Sequence, residues 1–150
     1  MIPTVDKQFS SQTEAVSQAR QCVADLGDSL SKSELQDISL LVSELVTNSV
    51  LHAGLLQKDL IDLKIYLSVK LIRTEVRNPG SGFELPVGGL LGGGLLDNVS
   101  DVGQTSGWGL QLVARIADRW GMEREASEEL TLVWFELDRE LGALGNGNHQ

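Results

Sequence analysis

Between Leu60 and Val76 apolar side chains return at every second position: Ile61, Leu63, Ile65, Leu67 and Val69, then a second run from Leu71 to Val76. A period of two sends alternate side chains to opposite faces, which a strand accommodates and a helix does not. Lys70, between the runs, marks a tight hairpin turn. The flanking segments carry the other period. Ala15, Val16, Ala19, Val23 and Leu26 sit at helical spacing over residues 12–26, and Gly27 is a natural stop. Ser31 or Ser33 can cap a second helix, with Glu34 three residues after Ser31 as a capping-box partner. That helix runs to about His52 and ends at Ala53-Gly54; Ile38, Leu41, Leu45 and Ser49, with Val42 and Val46, form its buried stripe. Helical spacing resumes over Trp108–Ala117, and Trp120–Arg124 and Leu130–Leu137 read as a last pair of strands. The expected fold is α+β in a single domain over 1–150: a two-layer sandwich, its mixed or antiparallel sheet of four or five strands covered by helices on one face. The core spans about 10–137, and the Gly/Asn-rich tail, 142–150, is expected to be loose.

Charge and composition exclude more than they assign. The formal net charge is -9, and the twelve Lys and Arg residues are scattered, so no basic patch exists to hold a phosphate backbone; no nucleic-acid partner is expected. No apolar run approaches the ~20 residues that span a bilayer, and the first ten residues carry no signal-peptide pattern, so neither a membrane nor an export route is expected. Cys22 is the only cysteine, which rules out an internal disulfide and a cysteine-based zinc cage. The simple expectation is a cytoplasmic protein. Trp120, Trp134 and Cys22 are expected to fill the core, and Trp108 to lie half exposed.

Three segments carry chemistry. On the second helix Glu44 and Asn48 are four residues apart and project to one spot, a carboxylate beside an amide oxygen that suits Mg²⁺ and an activated hydroxyl. Directly after a strand comes Asn78-Pro79-Gly80-Ser81-Gly82, whose two alternating glycines let the backbone approach a flat ligand. Gly107-Trp108-Gly109-Leu110 leads into a helix, where N–H groups at the helix start and the helix dipole favour phosphate. It is neither a Walker A loop nor a dinucleotide fingerprint.

Order and spacing make the set more specific than its members. The stretch Glu44-Leu45-Val46-Thr47-Asn48-Ser49-Val50-Leu51-His52-Ala53 resembles the N box of the GHKL (histidine-kinase-like) ATPases, and Asn78-Pro79-Gly80-Ser81-Gly82 resembles the next glycine box, Asp-x-Gly-x-Gly. Gly107-Trp108-Gly109-Leu110-Gln111-Leu112-Val113 resembles the box after that. The Glu-Leu-Val-Thr-Asn wording and Ala117-Asp118-Arg119-Trp120-Gly121 are similar to the stand-alone anti-sigma-factor serine/threonine kinases. The resemblance implies a Bergerat ATP-binding sandwich with ATP and Mg²⁺ as cofactors. It implies Glu44 as the catalytic base, Asn48 as the Mg²⁺ ligand, Asn78, Gly80 and Gly82 at the adenine, and Gly107, Trp108, Gly109 and Leu110 at the phosphates. It implies a sigma factor and a STAS-type anti-sigma antagonist as partners, a homodimer, and a lid over 83–105, where five of the seven residues 88–94 are glycine. The alternative is a nucleotide-binding regulatory module of the same fold with little or no phosphoryl transfer.

Two departures from the pattern bear on activity. Asn78 stands where an Asp is expected, so the site keeps an acceptor oxygen, loses the charge, and gains an amide donor that must be turned away from an adenine amino group. No Lys or Arg lies between Arg77 and Arg115, so phosphate charge must be met by Mg²⁺, backbone amides or a partner. Restoring the carboxylate by Asn78→Asp is expected to tighten ATP binding; calorimetry giving equal or weaker affinity counts against this placement of the adenine.

Overall fold

The computed structural model describes residues 2–52, 56–80, 108–125 and 129–140, with His52, Trp108 and Gly109 described by backbone alone. Strand β1 (Val5–Ser10) precedes helix α1 (Glu14–Ala24), a 3₁₀ turn (Gly27–Ser29) and helix α2 (Lys32–His52). Strands β2 (Leu60–Leu67) and β3 (Leu71–Asn78), helix α3 (Trp108–Ile116), and strands β4 (Arg119–Glu125) and β5 (Leu130–Asp138) follow. The sheet order is β1-β2-β3-β5-β4, and each neighbouring pair is antiparallel. The tight turn expected at Lys70 is present, and it takes in Val69, which the alternation had placed in the first strand. Its Ser68 N–H donates to the Leu71 carbonyl at 3.0 Å and the Leu71 N–H to Ser68 Oγ at 3.1 Å. β1 was not anticipated, because Lys7 interrupts Val5 and Phe9 at the alternating position.

Register sorts the strands into two faces. Ile61, Leu63 and Ile65 on β2, Ile72 and Val76 on β3, and Val133 and Phe135 on β5 are all buried against the helices. Ile38, Leu41, Val42, Leu45 and Val46 on α2 meet them without measurable exposure, as the helical stripe requires. Ala15 and Ala19 let α1 approach α2 closely, and Arg20 Nε donates to Ser43 Oγ at 2.7 Å across the pair. The start of α2 is a reciprocal capping box: Glu34 N–H donates to Ser31 Oγ at 3.1 Å and Ser31 N–H to Glu34 Oε1 at 2.9 Å. Glu34 also holds the nearly buried Arg139, whose Nε and Nη2 each lie 3.2 Å from one of its oxygens. Arg139 donates further to the carbonyls of Ser29 at 2.7 Å and Ser68 at 3.0 Å, fastening the end of β5 to three separate turns.

The opposite face of the sheet is charged. Arg73 bridges Glu75 (2.8 Å) and Glu136 (3.0 Å), with its guanidinium 4.4 Å above the Trp134 ring. Arg77 bridges Glu75 (2.8 Å) and Glu125 (3.1 Å). Trp134 therefore lies on this outer face and not in the core, its Nε1 donating to Glu123 at 3.2 Å, because its strand position has the opposite parity to Phe135. Trp120 and Cys22, both half-buried, pack against the core as expected. The described helices include none long and apolar enough to cross a membrane.

Hydrogen bonds from Arg119 and Arg73 hold the Glu136 carboxyl below its ordinary value. Burial pushes Glu75 up, but bonds from Arg73 and Arg77 outweigh it, so its net direction is also downward. Groups lowered in the folded state contribute stability above the unfolded carboxylate pKa of about 4 and lose it as pH falls through the folded values. Asp62, which burial pushes up, acts in the opposite sense. The melting temperature is expected to fall between pH 5 and pH 3, and Glu136→Gln to flatten that fall. Arg139→Met leaves Glu34 and two carbonyls without their partner and is expected to cost about 2–4 kcal/mol in urea unfolding. A Cβ on Gly121 would sit 2.8–2.9 Å from the Trp134 indole, so Gly121→Val displaces the ring from beneath Arg73, at a cost of about 1–3 kcal/mol. Near-neutral melting changes in these two variants would show that the clamp and the ring stack contribute little.

Candidate functional site

Helix α2 and strand β3 bring the first two motifs together. Asn78 is the last residue of β3, on the face that looks toward the helices, and is 2% exposed. Its Nδ2 donates to Ser49 Oγ at 3.1 Å, and Ser49 Oγ donates in turn to the Leu45 carbonyl one helical turn back, at 3.0 Å. Ser49 adjoins Asn48, so this bond sets the N-box helix directly over the glycine turn. The Gly80 N–H donates to Asn78 Oδ1 at 2.9 Å. A backbone N–H can only donate, so the atom facing it must be the amide oxygen, and the orientation of the Asn78 amide follows.

Two residues from the neighbouring strands β5 and β4, on the same sheet face, complete the turn. Asn78 pairs across the ladder with Thr131, and Thr131 with Arg124. Thr131 Oγ1 donates to the Gly80 carbonyl at 3.1 Å. Arg124 Nη1 donates to Thr131 Oγ1 at 3.0 Å and also to the Gly80 carbonyl. Sequence reasoning missed Thr131 and Arg124 at this position, since only strand register brings residues 124 and 131 beside residue 80. It placed Ser49 in the apolar stripe; the hydroxyl there, next to Asn48, was the available signal.

Glu44 and Asn48 sit one turn apart on α2, Glu44 half-buried and Asn48 1% exposed. Among the described residues no hydrogen bond or ion pair holds the Glu44 carboxylate, and Asn48 Nδ2 is buried without a partner. Gln111, in the first turns of α3, is 2% exposed with both amide atoms unpartnered. Among the described residues, Asn48 and Gln111 thus account for three of the six buried side-chain atoms left without a hydrogen bond. Unmet polar capacity of that kind is costly in an interior and suits a polar ligand.

Ile116, at the end of α3, lines one cavity of about 290 Å³ together with Ser31, Glu34 and Asp37 at the start of α2. The two helices pack together and share this end. Leu110 is buried at 1% exposure as the hydrophobic anchor of that helix. Gly82, Gly107 and the expected lid over 83–105 lie outside the described residues, as does the side chain of Trp108. Another cavity, about 590 Å³, lies between β1 and α1 and is lined by Gln8, Phe9, Gln18 and Cys22. Neither cavity is lined by Glu44, Asn48 or Asn78.

The donor set fits an oxygen-seeking cation in part. Glu44 and Asn48 offer oxygens, although Asn48 presents its unpartnered nitrogen, which meets a phosphate oxygen as it stands and a cation only once the amide turns over. Among the described residues no three His, Cys, Asp or Glu side chains form a metal cage, so a cation here would complete its shell from phosphate and water.

The family described as the histidine kinase-like ATPase domain matches residues 9–136. No curated protein matches the chain significantly. The matched interval takes in all three helices, β2, β3 and β4 entire, and every residue placed at the site above. With the α+β sandwich and the α2–β3 junction in place, this chain belongs to the histidine kinase-like ATPase domain family.

Proposed function

We propose that the protein is an ATP-binding anti-sigma regulator with serine/threonine kinase activity toward a STAS-type anti-sigma antagonist. One observation carries the reading: a buried amide with an unpartnered Nδ2 at Asn48, one turn from a half-buried carboxylate that no described group holds. A buried amide nitrogen without a partner calls for a water or a bound group to satisfy it. Glu44 and Asn48 are the pair through which a triphosphate and an incoming hydroxyl would be handled.

In this reading Glu44 accepts the proton of the antagonist's Ser or Thr hydroxyl. The hydroxyl oxygen bonds to the γ-phosphorus as the bond from that phosphorus to the bridging oxygen breaks, leaving ADP. Mg²⁺, when bound, supplies neutralisation of the β- and γ-phosphate charge. Asn48 orients the phosphates, through Nδ2 to an oxygen or through Oδ1 to the cation. The α3 N-terminus adds backbone donors. The resemblance to the anti-sigma kinases extends the proposal to a sigma factor as second partner and to a homodimer. A second reading, a module that holds nucleotide without transferring phosphate, draws support from the absence of Lys and Arg between residues 77 and 115.

Labelled ATP with a STAS-domain antagonist separates the two. Glu44→Ala is expected to keep nucleotide affinity within a few-fold while transfer drops at least ~100-fold. Asn48→Ala is expected to weaken binding itself. Label that never leaves the nucleotide in the parent protein, with binding intact, rejects the kinase reading and favours the module.

A further inference from the structure

Gln111 lies in the first turn of α3, and folding alone does not account for it there. Leu110 and Val113 anchor the helix in the core, and both are buried. Successive helical residues turn by about 100°, so Gln111 leaves the helix roughly 160° round from Val113, on the side turned from that core. Ala114 and Arg115, one turn further along the same side, are exposed. Gln111 is nevertheless 2% exposed, and among the described residues neither its Oε1 nor its Nε2 has a partner. An amide buried in this way forfeits the hydrogen bonds it would make to water. Side chains on a helix lean back toward its N-terminus, so this amide lies over the turn that begins at Trp108. The first backbone N–H groups of a helix have no carbonyl partner within it, and the helix dipole adds positive potential there. An unspent amide and a helix start therefore meet at one place.

We infer that Gln111 is a phosphate-binding residue, its Nε2 donating to an oxygen of the triphosphate tail beside the N–H groups at the start of α3. This rests on the reading that ATP is the ligand. Donors gathered at a helix start call for an acceptor that carries charge, which a phosphate oxygen is. The adenine amino group is itself a donor, and in the same reading it belongs against Asn78. The Gln111 Oε1 is then met by water or by the Mg²⁺ that accompanies a triphosphate, either of which bonds an amide oxygen. Residues 78–114 contain neither Lys nor Arg, so the side-chain donors this segment offers to phosphate are neutral, as the Gln111 amide is.

Two substitutions of nearly unchanged length test this in the intact chain, read by titration calorimetry with ATP and Mg²⁺ and by thermal melting without nucleotide. Gln111→Met removes the amide and keeps the bulk. It is expected to raise the melting temperature of the ligand-free chain, because a buried unpartnered amide is costly, and to weaken ATP binding about ten-fold. Gln111→Glu sets a carboxylate against the phosphates and is expected to weaken ATP binding about a hundred-fold. A carboxylate facing the adenine amino group would instead tighten binding, so equal or tighter affinity in Gln111→Glu overturns the inference. Unchanged ATP affinity in Gln111→Met overturns it as well, and a melting temperature that falls together with the affinity gives the amide a structural role in its place. A parent chain that binds no ATP sinks the nucleotide reading itself.

Discussion

The hydrogen bond between Ser49 and Asn78 joins the helical layer to the sheet where the chain's polar residues converge. Both residues are buried, and each spends its remaining capacity locally, Ser49 on the Leu45 carbonyl and Asn78 on the Gly80 N–H. Inside a core such a network is stabilising only while every member is satisfied, so it fixes the axial position of α2 over β3 more sharply than apolar contacts could. Residues Glu44 and Asn48 are placed by that constraint. Were α2 to slide by a residue, Ser49 would lose Asn78 and the neighbouring amide would face apolar side chains of the sheet.

The two faces of the sheet divide the work of folding. Helix-side burial of Ile, Leu, Val and Phe supplies the non-directional stabilisation, while the outer face is held by Arg73 and Arg77 threaded between Glu75, Glu136 and Glu125. Partly exposed ion pairs contribute little singly. Here they alternate along adjacent strands and cover a Trp ring, so their effect is to pin register. At the end of the sheet away from Asn78, Arg139 gathers the capping box, the 3₁₀ turn and the β2–β3 turn. Stability is thus concentrated at one end, and unmet polar capacity, at Asn48 and Gln111, lies toward the other. That separation is expected of a domain that keeps a binding region apart from its rigid base.

Much of this was legible in the residues themselves. Periods of 3.6 and 2 located α1, α2, α3 and the four longer strands, since burial of one face imposes those repeats. Ser31 and Glu34 announced their reciprocal cap, because that chemistry is local. The spacing of Glu44 and Asn48 put them on one helix face for the same reason. β1 was lost because an edge strand of six residues with Lys7 at its centre leaves too weak an alternation. Trp134 was misplaced because a bulky aromatic reads as core, whereas strand parity gave the inner position to Phe135.

What the tertiary structure alone decided is long-range. The antiparallel order β1-β2-β3-β5-β4 brings Thr131 and Arg124 beside Gly80 from some fifty residues away, and no local pattern encodes that meeting. The Asn78 amide nitrogen finds its acceptor only in Ser49, twenty-nine positions earlier. Sequence determined most of the elements and named the candidate residues for chemistry, because propensity, periodicity and capping act within a few residues. Their convergence, and the guanidinium that joins them, came from strand register and helix packing, which are properties of the whole chain.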